Sequence, residues 1–306
     1  MFLRSESFDS HFMKTAWVFP GQGSQAVGMG MDLLEVGQDK FAKAAEILGW
    51  SIAEKCQGDI AELSQTEYTQ PCLYTISAIL SDLLKAKGYT PDVVAGHSLG
   101  EYSALYSAGV FDFATGLELV KQRSLLMSGA SGGAMTALIG FDRAALEDLI
   151  ANTPDVVLAN DNSDGQVVIS GTVEAVQSVC GQIKVKKAMP LAVSGAFHSP
   201  LMAEAAAKFA DILAQIQFRD AQIPVLSNVE PTDATTSAQT LRDRLSVQIT
   251  SPVRWREISL YLGESGCERA IEVGAGKVLT GLLKRTAPNL QLANISNLEQ
   301  LNELVR

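Results

Sequence analysis

Apolar positions along the chain follow two periods, and the change from one to the other marks its elements. Thr15 to Phe19 is a short, nearly unbroken apolar run of strand length that ends in Pro20-Gly21. Phe41 to Leu48 has a helical Ala/Lys/Glu pattern. From Gln70 to Lys87, Leu73, Ile76, Leu80 and Leu83 fall on one stripe and Gly88 follows, which predicts a helix with its stop signal. A second apolar run, Asp92 to Ala95, leads into Gly96-His97-Ser98-Leu99-Gly100 and then into small residues from Glu101 to Ala108, read as strand, tight turn and slim helix. A further helix is predicted from Ala114 to about Ser128. Leu119, Val120, Leu126 and Met127 share its apolar face, and Arg123 stands in the middle of that face.

The pattern then shortens. Met135–Phe141 reads as strand, Arg143–Asn152 as helix, and Val156–Asn160 and Gln166–Ser170 as strands. Val173–Lys184 reads as helix and Met189–Ser194 as strand. This is the βαββαβ order of a ferredoxin-like unit. Helical and strand patterns resume afterwards: a helix at 201–216, a strand at 224–228, helical segments near 239–247 and 255–262, a strand at 270–273, a helix at 278–285 and a last strand at 290–295. The expected fold class is α/β: a doubly wound parallel sheet from 13–132 and 197–306, with an inserted ferredoxin-like (βαββαβ) subdomain at 133–196. Residues 1–12 are mixed and polar, and Met13 begins a sequence that reads like a natural start. The first twelve residues are therefore expected to be a disordered extension or the product of an upstream start codon.

At 306 residues the chain can bury a full core, and 47% hydrophobic with 19% charged residues is ordinary for a globular protein. The net charge of −10 argues against nucleic acid or an anionic membrane as partner. No apolar run has transmembrane length and no signal-peptide core is visible. Cys56, Cys72, Cys180 and Cys267 have no metal-ligand spacing and read as reduced thiols of a cytoplasmic protein, with no metal site.

Strand, Gly-x-Ser-x-Gly, helix is the setting of a nucleophile elbow. The turn is so tight that side chains two residues either side of Ser98 would collide, and Gly96 and Gly100 remove them. The new helix leaves N–H groups nearby, that of Leu99 foremost, to face an oxyanion. The loop Gly21-Gln22-Gly23-Ser24-Gln25-Ala26 fits G-x-G-x-x-A, but no second strand with a terminal acid follows about twenty residues on, so a dinucleotide site is rejected. The loop can instead offer a second oxyanion donor.

A serine nucleophile needs a base, and the chain holds three histidines. His11 lies in the extension. His97, beside Ser98 at a turn where neighbouring side chains diverge, is expected to pack beneath it. His198 remains, in the segment that joins the small unit back to the large one. Glu272 ends a strand near a glycine turn and could complete a triad or be structural. A carbonyl could orient the imidazole instead. Arg123 on an apolar face is costly unless an anion meets it, either an internal carboxylate or that of a substrate gripped by its fork.

Together these segments resemble the malonyl-CoA:acyl carrier protein transacylase family. The likeness lies in Gly-Gln-Gly-Ser-Gln, Gly-His-Ser-Leu-Gly-Glu-Tyr, Lys-Gln-Arg at Arg123, Gly-Ala-Phe-His-Ser-Pro, Gln248 and Glu-Val-Gly-Ala-Gly-Lys-Val-Leu, and it covers Met13 to the C-terminus. It implies an α/β-hydrolase-like domain around the ferredoxin-like unit. Ser98 would carry the malonyl ester, His198 would be the base, and the Gln22 and Leu99 N–H groups would form the oxyanion hole. Arg123 would bind the malonyl carboxylate, and the Gln248 main-chain carbonyl would orient the histidine. Asn160 and Asn162 match an Asn-x-Asn near the pocket, and Phe197 matches the malonyl rather than the methylmalonyl pattern. The family's Gly-Pro-Gly is Gly274-Ala275-Gly276 here, which changes loop stiffness only. The resemblance implies malonyl-CoA as substrate with no cofactor, acyl carrier protein as partner, and a monomer. Carrier proteins of this type are acidic, so docking calls for a local basic patch on an acidic enzyme. Lys186 and Lys187 (with Lys184), expected at the end of the small unit's second helix, and Lys284 and Arg285, ending the helix after Gly276, are the two candidates.

Overall fold

The computed structural model describes residues 13–304, so the expected extension at 1–12 lies outside the described residues. Two sheets face each other across a cleft. The larger, its floor, is all parallel with order β7-β2-β1-β8-β9. Its strands are β1 (Thr15–Phe19), β2 (Val93–Gly96), β7 (Val225–Leu226), β8 (Arg269–Val273) and β9 (Gln291–Ile295). Ala16, Trp17, Val18 and Phe19 of β1 are all buried, as both faces of a central parallel strand must be. Because β1 pairs with β2 in register from Ala16↔Val93 to Phe19↔Gly96, the loops leaving their C-terminal ends emerge side by side. In open α/β sheets that end is where ligands bind.

The helices around this sheet are α1 (Gln38–Leu48), α2 (Ile52–Gln57), α3 (Ile60–Leu63), α4 (Thr66–Ala86), α5 (Gly100–Ser107) and α6 (Phe113–Ser128). After the insert come α9 (Ala203–Ala214), α10 (Ala238–Val247), α11 (Trp255–Glu264), α12 (Val278–Thr286) and α13 (Leu298–Leu304). α4 is buried on nearly all sides, between α5 and α6.

The smaller sheet, the roof, is antiparallel with order β4-β5-β3-β6. It comprises β3 (Ala134–Phe141), β4 (Val156–Ser163), β5 (Gln166–Gly171) and β6 (Val185–Pro190), with α7 (Arg143–Ala151) and α8 (Val173–Gln182) on its far face. That is the strand order of a ferredoxin-like unit. Two strands depart from the sequence reading. β4 runs on through the buried polar residues Asp161, Asn162 and Ser163: Asp161 and Ser163 pair with Val167 and Gln166 of β5, and the Asp161 N–H donates to the Val253 carbonyl. α8 ends at Gln182 where Ile183 turns extended, so 185–190 is the edge strand and Lys186 and Lys187 lie on it, not at a helix end. No helix among the described residues is long and apolar enough to cross a membrane.

Candidate active site

Ser98 stands between β2 and α5 with φ of 51°, in the left-handed region that costs a non-glycine residue about 1 kcal/mol or more. The glycines around it do what the spacing predicts. A Cβ on Gly96 would fall 1.9 Å from the Gly100 carbonyl carbon, and one on Gly100 would fall 2.0 Å from the Phe19 carbonyl oxygen. Gly21 likewise touches the His97 carbonyl, so the loop after β1 rests on the elbow. The Ser98 N–H donates to Asn228 Oδ1 (2.7 Å), and Asn228 Nδ2 donates to the Gly96 carbonyl (2.6 Å), bracing both sides of the turn. The N–H groups of Gln22 and Leu99 find no protein acceptor among the described residues, and both residues line the cleft. They can receive a developing oxyanion.

His198 Nε2 lies 2.8 Å from Ser98 Oγ. Its Nδ1 faces the main-chain carbonyls of Gln248 (3.0 Å) and Ser251 (3.1 Å), which makes Nδ1 the protonated nitrogen and leaves Nε2 as acceptor. His198 also has a left-handed φ of 57°, held by its N–H donating to the Ile249 carbonyl. Burial, and then the positive charge of Arg123, push its pKa down to about 3, so the free imidazole is neutral and able to take a proton. Glu272 is elsewhere: its carboxylate caps α12, accepting from the N–H groups of Leu279 and Thr280.

Arg123 is 1% exposed. Its Nη1 donates to Gln70 Oε1 (2.6 Å), and Nη2 donates to Gln248 Oε1 (3.0 Å) and Ser98 Oγ (3.0 Å). Its Nε has no partner, and among the described residues no carboxylate pairs with it. The internal ion pair is thereby removed as an explanation for its position. A charge buried against neutral amides and the nucleophile can take an anion beside Ser98.

The cleft has a volume of about 270 Å³ and opens to solvent. Met135, Ala137, Val168, Met189 and Phe197 supply its apolar lining. Asn160 and Asn162, on alternate positions of β4, also line it, and Asn162 Oδ1 binds His97 Nε2 at 2.8 Å. His97 therefore stands in the cleft wall between elbow and roof, against Trp255, and not beneath the turn. No cluster of His, Cys, Asp or Glu among the described residues could hold a metal ion.

Lys187 pairs with Ile139 and shares the cleft side of β6 with Met189. The stem of Lys186 crosses Gly140 on the other side. Lys284 and Arg285 are exposed at the end of α12, where Arg285 reaches Gln166 of the cleft rim. Sequence reasoning missed Gln70, Glu101 and Asn228. Only Glu101 left a signal, as a carboxyl inside the small-residue helix after the elbow.

The acyl transferase domain family matches residues 16–302. A malonyl CoA-acyl carrier protein transacylase of Synechocystis sp. is 59% identical over 95% of this chain and all of its own. The crystal structure of a malonyl-CoA:ACP transacylase from Synechocystis sp. superposes with a TM-score of 0.93 at 59% identity, covering 95% of this chain and 100% of that one. A malonyl-transacylase in complex with a type II polyketide acyl-carrier protein superposes with a TM-score of 0.90 at 40% identity, over 95% of this chain and 99% of that one. With Ser98, His198 and Arg123 in one cleft, the chain belongs to the acyl transferase domain family and, within it, to the malonyl-CoA:acyl carrier protein transacylases.

Proposed function

We propose that the chain transfers a malonyl group from malonyl-CoA to the phosphopantetheine thiol of acyl carrier protein, through a malonyl ester on Ser98, to supply fatty-acid elongation. The observation that carries this reading is Arg123, a buried guanidinium with no carboxylate partner among the described residues and one nitrogen already on the oxygen of Ser98. His198 Nε2 takes the Ser98 proton as Oγ attacks the thioester carbon. The N–H groups of Gln22 and Leu99 hold the oxyanion, and its collapse expels coenzyme A, whose sulfur takes the proton from His198. The carrier thiol then enters, gives its proton to His198 and attacks the ester, and Ser98 recovers its proton as it leaves. Arg123 holds the malonyl carboxylate through both halves, and no cofactor takes part. All these groups come from one chain, so a monomer suffices. Lys187 with Lys186, and Lys284 with Arg285, are the proposed docking contacts for the acidic carrier. The four free thiols agree with a reducing cytoplasm.

Mass spectrometry after incubation with malonyl-CoA tests the assignment. Wild type gains a malonyl adduct and Ser98→Ala does not, while losing transfer by about 10⁴-fold or more. An adduct that persists in Ser98→Ala moves the nucleophile elsewhere, and rapid hydrolysis of malonyl-CoA without carrier protein points to a thioesterase.

A further inference from the structure

The cluster behind Ser98 holds a second buried ionisable group that the transfer chemistry leaves unused. Glu101, in the first turn of α5, is 1% exposed. Its Oε2 accepts from Gln248 Nε2 (2.7 Å) and from the Asn228 N–H (3.2 Å), and no cation among the described residues pairs with it. Burial pushes its pKa above the ordinary carboxylate value, while the donors from Gln248 and Asn228 and the charge of Arg123 oppose that and favour the anion. Arg123 is the mirror case, a buried cation that no carboxylate among the described residues pairs with. One side-chain amide stands between them: Gln248 Oε1 accepts from Arg123, while its Nε2 donates to Glu101 and to the Ser98 carbonyl (3.1 Å). An amide has no intrinsic preference between its two faces until its neighbours distinguish oxygen from nitrogen. Here a donor-only group on one side and an acceptor-only group on the other fix it. The same residue's main-chain carbonyl sits at His198 Nδ1.

We propose that Glu101 is a positioning residue that sets the carboxylate clamp through Gln248. It holds a counter-charge one amide away from Arg123. A direct ion pair would occupy the guanidinium fork and shut out the substrate. Without any anion, the fork would lose both its electrostatic support and the amide that aims it. At one amide's remove, Arg123 stays charged and oriented while its Nε keeps no partner among the described residues. This rests on the reading of Arg123 as the malonyl clamp.

The test is acyl loading of Ser98 from malonyl-CoA and acetyl-CoA, with kcat and KM resolved separately, for Glu101→Gln, Gln248→Met, the double variant and Arg123→Ala. Glu101→Gln should raise KM for malonyl-CoA about tenfold, with a smaller change in kcat and a several-fold smaller loss for acetyl-CoA. The double variant should be no worse than Gln248→Met alone, because Glu101 acts through that residue. Equal losses for the two acyl groups, or effects that multiply in the double variant, overturn the proposal. If Glu101→Gln does not fold, Gln248→Met decides: an unchanged malonyl-to-acetyl ratio overturns it. Arg123→Ala separates the two levels. If it leaves the ratio unchanged, the clamp itself is wrong. If it alters the ratio while Glu101→Gln does not, only the relay is wrong.

Discussion

Below the cleft, main chain touches main chain: Gly96 lies on Gly100, Gly100 on the Phe19 carbonyl and Gly21 on the His97 carbonyl. Above it, the roof is fastened chiefly along β4, and largely by side chains. Asp161 takes Arg256 Nε at 2.9 Å and Asn162 takes His97, and among the described residues the main chain joins where Asp161 and Ala159 exchange hydrogen bonds with Val253. The floor thus leaves no room for an added atom beside Ser98. The roof supplies apolar surface and amides whose replacement leaves the elbow in place. Position comes from backbone packing and selectivity from side chains laid over it.

The comparison breaks most readily at the floor. Gly100→Ala must push α5 away from β1, and we expect a loss of about 3 kcal/mol or more in stability with no measurable transfer. A melting curve close to wild type would show that the elbow is looser than its contacts imply. Arg123→Ala tests the side-chain layer instead. Malonyl transfer should fall by about 2–4 kcal/mol in transition-state terms, while acetyl transfer falls little or rises. Equal losses would remove the clamp. Next, Lys186→Glu with Lys187→Glu should lower kcat/KM for carrier protein by about tenfold at low salt, less at high salt, and should spare malonyl-CoA loading. Because the two lysines lie on opposite sides of β6, Lys187→Glu alone should carry most of the effect. Equal single-variant effects would move the docking face to the strand's outer edge.

The smallest effect is in the pH profile. An imidazole can act as a base only when neutral, and the pKa of His198, the proposed base, is pushed down to about 3 by burial and then by Arg123. The acid limb of kcat/KM for acetyl-CoA should therefore lie well below the ordinary imidazole range, and Arg123→Ala should move it upward. Stability follows the same sign. Between about 3 and the ordinary value the unfolded chain binds the proton more readily, so this contribution is full above that window and is lost as pH falls through it. An acid limb unmoved by Arg123→Ala would show that the guanidinium charge does not reach the imidazole.

The sequence reveals the floor more fully than the roof, for a physical reason. Glycine spacing around Ser98, a base found by elimination and an arginine on an apolar face are local signals, and the structure brings Ser98, His198 and Arg123 together. Gln70, Asn228 and Glu101 act through hydrogen bonds between distant segments, which leave no period in the sequence. The sequence pattern ends this strand at Asn160, because the polarity of Asp161 and Asn162 is met by hydrogen bonds with Arg143, Arg256 and His97 that leave no period in the sequence. β6 was displaced because an exposed edge strand carrying Lys186, Lys187 and Ala188 lacks the alternation that would mark it.

The way the roof leaves and rejoins the floor bears on how the chain assembles. A Cβ on Gly133 would stand 2.5 Å from that of Ala196, and one on Gly195 would stand 3.1 Å from the Ala130 carbonyl, so the insert begins and ends at one point. The parallel sheet, however, must join Val94 to Val225 across everything between them. If the small sheet, whose strands are near neighbours in sequence, forms first, it takes nearly half of that loop out of the search, an entropic saving of about 0.6 kcal/mol. That is a threefold gain at most in the rate of a slow, long-range pairing. The insert that shapes the acyl pocket in the finished enzyme would then have served earlier as a splint for the chain.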